Sequence, residues 1–120
     1  MDLFDTTQTA LETAMRGQAL REQALAENLA NANTPGYQRV DVDFHGALAQ
    51  AMGTSKPKHS LETTGFSPEV DATGATRADG SSVDVDAESA KLAANGLEHQ
   101  TAVTVASARL SILRSAMGVA

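Results

Sequence analysis

Leu25-Ala26-Glu27-Asn28-Leu29-Ala30-Asn31-Ala32-Asn33-Thr34-Pro35-Gly36-Tyr37 is the stretch that decides the fold, because a long helical run stops inside it. Asparagines tolerate the irregular backbone of a helix end, and the residue before a proline is pushed towards extended geometry. Pro35-Gly36 suits the two central positions of a type II turn, with glycine taking the positive φ. N-terminal to this stop, from about Leu3 to Ala32, there is no proline and no strong breaker but Gly17. Alanine, leucine, glutamate, glutamine and arginine dominate, all good helix formers. Phe4, Leu11, Met15, Leu25, Leu29 and Ala32 fall on one stripe, interrupted by Gln18 and Glu22, while Ala10, Ala14, Leu20 and Ala24 populate an adjacent face.

Beyond the stop, Val40, Val42 and Phe44 alternate with polar residues, predicting a short extended segment with one buried side. Residues 46–52 add about two helical turns. Residues 53–82 are rich in Gly, Pro, Ser, Thr and Asp and read as an irregular middle. Asp86 is the expected N-cap of a second long helix, about Ala87 to Met117, with Glu88 in its first turn. There Val103, Ala106, Leu110, Leu113 and Met117 repeat with 3-4 spacing. Ala90, Ala93, Ala94, Leu97, Val105, Ala108 and Ile112 form a second row, and Asn95-Gly96 is a weak point in the helix. The expected fold is therefore mainly α: long N- and C-terminal helices packed as an antiparallel, coiled-coil-like hairpin, with a short extended segment and an irregular middle loop. Its segments are 1–33 (first helix), 34–52 (turn, extended segment, short helix), 53–82 (irregular) and 83–120 (second helix), with the terminal helices making one structural domain.

Composition narrows the function. Of 120 residues, 22 are alanine, and Leu, Ile, Val and Phe together number only 23, close to the roughly 20% below which a chain struggles to bury a core. A compact enzyme with a deep pocket is not expected. The net charge of −6 argues against nucleic acid or anionic lipid as a partner. Without cysteine there is no disulfide framework or thiolate zinc site. His45, His59 and His99 lack the spacing of a helical metal site, and the pairs Asp41/Asp43 and Asp84/Asp86 lack the rest of a calcium loop. No catalytic residue, cofactor or metal is expected. The acidic N-terminus does not read as a secretory signal, and no run is long enough to span a membrane.

Residues 25–37 closely resemble the N-terminal signature of the bacterial flagellar rod, hook and hook-associated family. Arg39-Val40-Asp41-Val42-Asp43-Phe44, the short middle and the tail from Leu97-Glu98-His99-Gln100 through Leu110-Ser111-Ile112-Leu113-Arg114 narrow the likeness to its proximal-rod members. The resemblance implies a structural subunit with no enzymatic activity, exported without signal cleavage and polymerised through its terminal helices into the periplasmic rod, the drive shaft of the flagellum. Its implied partners are copies of itself, other rod subunits and the MS-ring and export-gate base of the basal body. Asn28, Asn31, Thr34, Pro35, Gly36 and Tyr37 match the family motif and are expected to fix the helix exit. Leu25, Leu29, Val103, Leu110, Leu113 and Met117 are the expected packing positions, within or between subunits. The residues also leave open a small cytoplasmic helical adaptor or export chaperone that binds one amphipathic partner helix.

Overall fold

A computed structural model describes residues 5–118. The expected helical start at Leu3 and the stripe position Phe4 lie outside the described residues. Helix α1 runs Thr6–Ala30, capped by Asp5, whose carboxylate accepts the Gln8 N–H. Strand β1 (Val40–Asp41) follows, then α2 (Phe44–Met52), α3 (Pro57–Thr63), β2 (Glu69–Val70) and α4 (Val85–Ala116).

Helices α1 and α4 lie antiparallel. Three contacts set the register: Arg109 on Asp5 at 2.8 Å, Asn95 Nδ2 on Gln18 O at 2.9 Å, and Asn28 Nδ2 on Glu88 Oε2 at 3.0 Å. The 32 residues of α4 make a rod about 48 Å long at 1.5 Å per residue, and the molecule is long and flat, 62 × 33 × 14 Å. On a second flank of α1, Ala24, Val42 and Phe44 form the buried apolar cluster, with Leu20, Val40 and Phe66 against it. Gly17 belongs to this flank. A Cβ there would stand 2.5 Å from Phe44 Cβ, so the residue read as a breaker is a docking point for α2. Thr13 Oγ1 donates to Leu61 O at 3.2 Å and ties α3 to the same flank.

Several boundaries differ from the expectation, each for a local reason. Phe44 opens α2 instead of ending the extended segment, because the Asp43 carboxylate caps the helix at Gly46 N–H. Asp84, not Asp86, caps α4, accepting the N–H groups of Asp86 and Ala87, so the helix starts two residues early. The middle is loop for most of its length but carries α3, started by Pro57 at a first-turn position where its missing N–H costs nothing. It also carries β2, antiparallel to β1 with Val40 opposite Val70. Helix α4 passes through Asn95-Gly96 unbroken. No helix among the described residues is long and apolar enough to cross a membrane.

Candidate assembly site

The helix stop is built as expected and then tied to the far end of the chain. The Asn31 N–H and its side-chain amide both donate to Glu27 O, closing the last turn of α1. Thr34 returns its hydroxyl to Asn31 Oδ1. Tyr37 N–H donates to Thr34 O around Pro35-Gly36, and Gly36 has φ +74°, the left-handed value that the second central position of a type II turn demands. Gly36 N–H donates to Asp79 O, and Gly80, also at positive φ, lies against it so closely that a Cβ would be 3.2 Å from Gly36 Cα.

Asn28 does the work of a missing strand. It is fully buried, and its amide pairs with the backbone of Val40 as a neighbouring strand would: Nδ2 donates to Val40 O at 2.7 Å and Oδ1 accepts Val40 N–H at 2.9 Å. The same Oδ1 accepts the Tyr37 hydroxyl at 3.2 Å, and Nδ2 also reaches Glu88. Burial, with the charges of Glu27 and Glu88 nearby, raises the Tyr37 pKa and keeps the phenol a donor. Asparagine alone presents donor and acceptor side by side at this reach, so the motif residue is explained by backbone satisfaction.

Around it sits an ionic knot. Arg39 is 4% exposed; its Nε donates to Glu88 at 2.5 Å, its Nη2 to Asp41 at 3.2 Å, and its Nη1 to Asp71. Arg21 forks onto Asp41 from α1, at 2.8 and 3.2 Å. Burial disfavours the Arg39 charge, but the bonds to Glu88 and Asp41 outweigh it and raise its pKa. Burial likewise opposes ionisation of Asp41, and the Arg21 guanidinium with the Val42 N–H overcomes this and holds the carboxyl below its usual range. Asp71 is lowered chiefly by the Thr73 hydroxyl and N–H. Side chains from β1, α4 and the residue after β2 thus converge on one guanidinium, and α1 joins the knot through Arg21 on Asp41. The sequence marked Arg39 only as part of a resemblance and Glu88 only as a helix-dipole residue. Arg39 falls with Asp41 and Asp43 on the polar side of the alternation, so nothing in the local pattern marked it as buried.

Of the expected packing positions, Leu25 is buried and Leu29 and Leu113 partly so. Val103, Leu110 and Met117 are 40%, 47% and 60% exposed. The α1-facing line of α4 runs instead through Glu88, Leu92, Asn95, His99, Ala102, Ala106, Arg109 and Leu113, a 4-3 repeat offset from the expected one. Towards its far end this contact is polar: Gln8 Oε1, Gln18 Oε1, Asn95 Oδ1, His99 Nδ1 and Arg109 Nε are buried with no hydrogen-bond partner among the described residues. Each such atom costs about 1–3 kcal/mol. The hairpin is therefore locked near the Asn28–Arg39–Glu88 knot and weakly held at its other end.

Comparison with known proteins supplies the context. The family model for the flagella basal body rod protein matches residues 9–38, which include the whole helix stop. The chain is 30% identical to the flagellar basal body rod protein FlgB of Aeromonas hydrophila, across 95% of this chain and 94% of that protein. It is 31% identical to that of Salmonella typhimurium, across 92% and 91%, and 28% identical to that of Bacillus subtilis, across 98% and 97%.

Proposed function

The chain belongs to the FlgB-type flagellar basal body rod proteins, and from that premise we propose that it polymerises through its terminal helices as a structural subunit of the proximal rod. It is a rod structural protein of the basal body, assembling with other rod components. The finer reading is that copies of the chain, exported without signal cleavage, build the periplasmic drive shaft and meet the MS-ring and export-gate base.

One observation carries this reading. Apolar residues are spread nearly evenly around α4, yet α1 covers only one side of it, leaving Leu97, Val103, Val105, Leu110, Ile112 and Met117 exposed. Large apolar side chains left exposed along one helix mark a contact surface. The motif residues Asn28, Asn31, Thr34, Pro35, Gly36 and Tyr37 support it by fixing how α1 exits, and so the direction in which α4 is presented. Apolar burial at about 25 cal/mol per Å² then favours neighbours on the open sides.

The test is Ile112→Asp and Leu110→Asp in cells that depend on this chain for swimming. Both side chains are exposed, so the subunit should still fold and accumulate. Motility and rods in purified basal bodies should be lost. Normal swimming in both variants would refute the reading.

A further inference from the structure

Two charged patterns are only partly used by the fold. Lys56-Pro57-Lys58 opens α3 and Asp84-Val85-Asp86 opens α4, each setting two like charges around one apolar residue, at the same spacing and with opposite sign. Among the described residues, Lys56, Asp84 and Asp86 are exposed and have no oppositely charged side chain within ion-pair distance. Each pattern also has a large exposed apolar side chain beside it. Met52, 50% exposed, stands at the corner between α2 and α3, and the Thr54 hydroxyl ties that corner together by meeting Ala51 O and the Ser60 hydroxyl. Val85, 47% exposed, lies on the wall of a cleft of about 510 Å³ between residues 71–77 and the first turns of α4. Four carboxylates and three cations line this cleft. Its cations are already engaged: Arg39 by Glu88, Asp41 and Asp71, Arg77 by Asp79, while Lys91 lies towards Asp71. At the α3 corner the balance is reversed, with Lys56, Lys58 and Arg16 against Glu12 and Glu62; Arg16 belongs there because its guanidinium reaches Leu61 O.

The two patterns do not meet within one copy. Thr13 anchors α3 and Asn28 anchors the start of α4, and at 1.5 Å per residue these positions lie about 22 Å apart along α1. Resting on the rod reading above, we infer that the α2–α3 corner of one copy docks in the cleft of the next, Met52 entering beside Val85 while Lys56 faces Asp84 and Asp86. The occupant is a second copy because the chain itself carries the complement of each pattern in sign, in spacing and in the apolar group at its side. Charges meeting at the rim of such a contact fix register and choice of partner more than affinity. Because one patch meets a different patch, a corner and a cleft stay free at the two ends of a row of copies, so the contact continues instead of closing into a pair. It uses the middle of the chain and the start of α4, and leaves the exposed residues of the outer half of α4 untouched.

Charge reversal tests this in cells that depend on the chain for swimming. Lys56→Asp and Asp86→Lys should each lose most of the swimming halo, and the two combined should regain it. Both side chains are exposed and Asp84 supplies the cap of α4, so the purified variants should keep native helicity by circular dichroism. The chain has no cysteine, so introduced thiols are unique. Met52→Cys with Val85→Cys, in purified basal bodies treated with a short bifunctional maleimide, should give a ladder of cross-linked copies. Single reversals that swim normally, a combined variant no better than the worse single one, or monomers and adducts with another protein only, with the chain present in basal bodies, each overturn this contact and leave the rod reading standing. Absence of the chain from basal bodies of swimming cells overturns the rod reading and the contact with it.

Discussion

Replacing Asn28 by Asp changes one atom and almost no volume, yet the knot makes it a severe test. The new carboxylate keeps the acceptor that serves Val40 N–H and the Tyr37 hydroxyl. It loses the donor that reaches Val40 O at 2.7 Å and Glu88 at 3.0 Å. A charge then stands where the donor stood, at about 3 Å from the Glu88 carboxylate. At an effective dielectric of ~20 that repulsion is about 5 kcal/mol, and the orphaned Val40 carbonyl adds ~1–3. Against a typical total stability of 5–15 kcal/mol, the variant is barely folded at pH 8.

The pH dependence gives the reasoning its sign. A proton taken up by the new pair ends the repulsion and restores a donor towards Glu88. The introduced carboxyl thus has a folded pKa above its unfolded value of about 3.9, so stability is fully present below the unfolded value and lost as pH rises through the folded one. Urea titrations followed by circular dichroism at pH 8, 6.5 and 5 should show Asn28→Asp regaining about 1.4 kcal/mol per unit of pH lowered within that window. Asn28→Leu, which removes the same bonds without adding charge, should be poorly stable with no such recovery. A destabilisation of Asn28→Asp that does not change between pH 8 and 5, or native-like stability at pH 8, would refute the account of Asn28 as the strand-mimicking partner beside Glu88.

Gly17→Ala should lower the melting temperature, by about 1–3 kcal/mol of stability, because its Cβ overlaps Phe44. Gly96→Ala, with open space around it in α4, should raise stability by up to ~1 kcal/mol, and the opposite ranking in thermal melts would count against the packing. Arg39→Met, which leaves the buried Glu88 without its guanidinium, should cost about 3–5 kcal/mol by urea denaturation, and the double variant Arg39→Met/Glu88→Leu should recover part of it. Asp41 and Asp71 have depressed pKa values, so their contribution is present above about pH 3.9 and lost as pH falls through their folded values. Asp41→Asn should make an acid titration of ellipticity shallower below that pH, and an unchanged curve would rule this out.

Helix positions were legible in the sequence because propensity and breakers act locally. Pro35-Gly36 ends a helical run whatever the rest of the chain does, and the type II turn was readable from two residues. The offset of the α4 contact was not legible, because large apolar residues were assumed to face the partner helix. Ala102 faces it beside the expected Ala106, and Val103 and Leu110 look outward. That assignment is sound where the larger side chains pack inside the subunit, and it fails here because the larger ones stay exposed while alanines make the contact. The knot was illegible for another reason. Arg39, Asp71 and Glu88 are 32 and 17 residues apart in sequence, and no periodicity relates a strand, a loop and a helix start.

The α1–α4 contact and the open sides of α4 use opposite chemistry, and that division bears on how a subunit poor in large apolar residues keeps one geometry. A buried ionic network is weak evidence for stability, since desolvation offsets most of its attraction. It is demanding about position, however: Arg39 satisfies Glu88, Asp41 and Asp71 together in one arrangement only, and Asn28 matches Val40 in one register. A slip of α4 along α1 by a single turn would leave Glu88 and Asn28 buried without partners, a penalty far larger than the loss of an alanine contact. Polar groups therefore set the register near the helix stop, where α1 ends and α4 begins. The apolar rows, free of that duty, remain available on the open sides of α4. Disrupting the knot should thus misalign those rows, so Arg39→Met should lower rod yield in basal bodies even at temperatures where the variant remains folded.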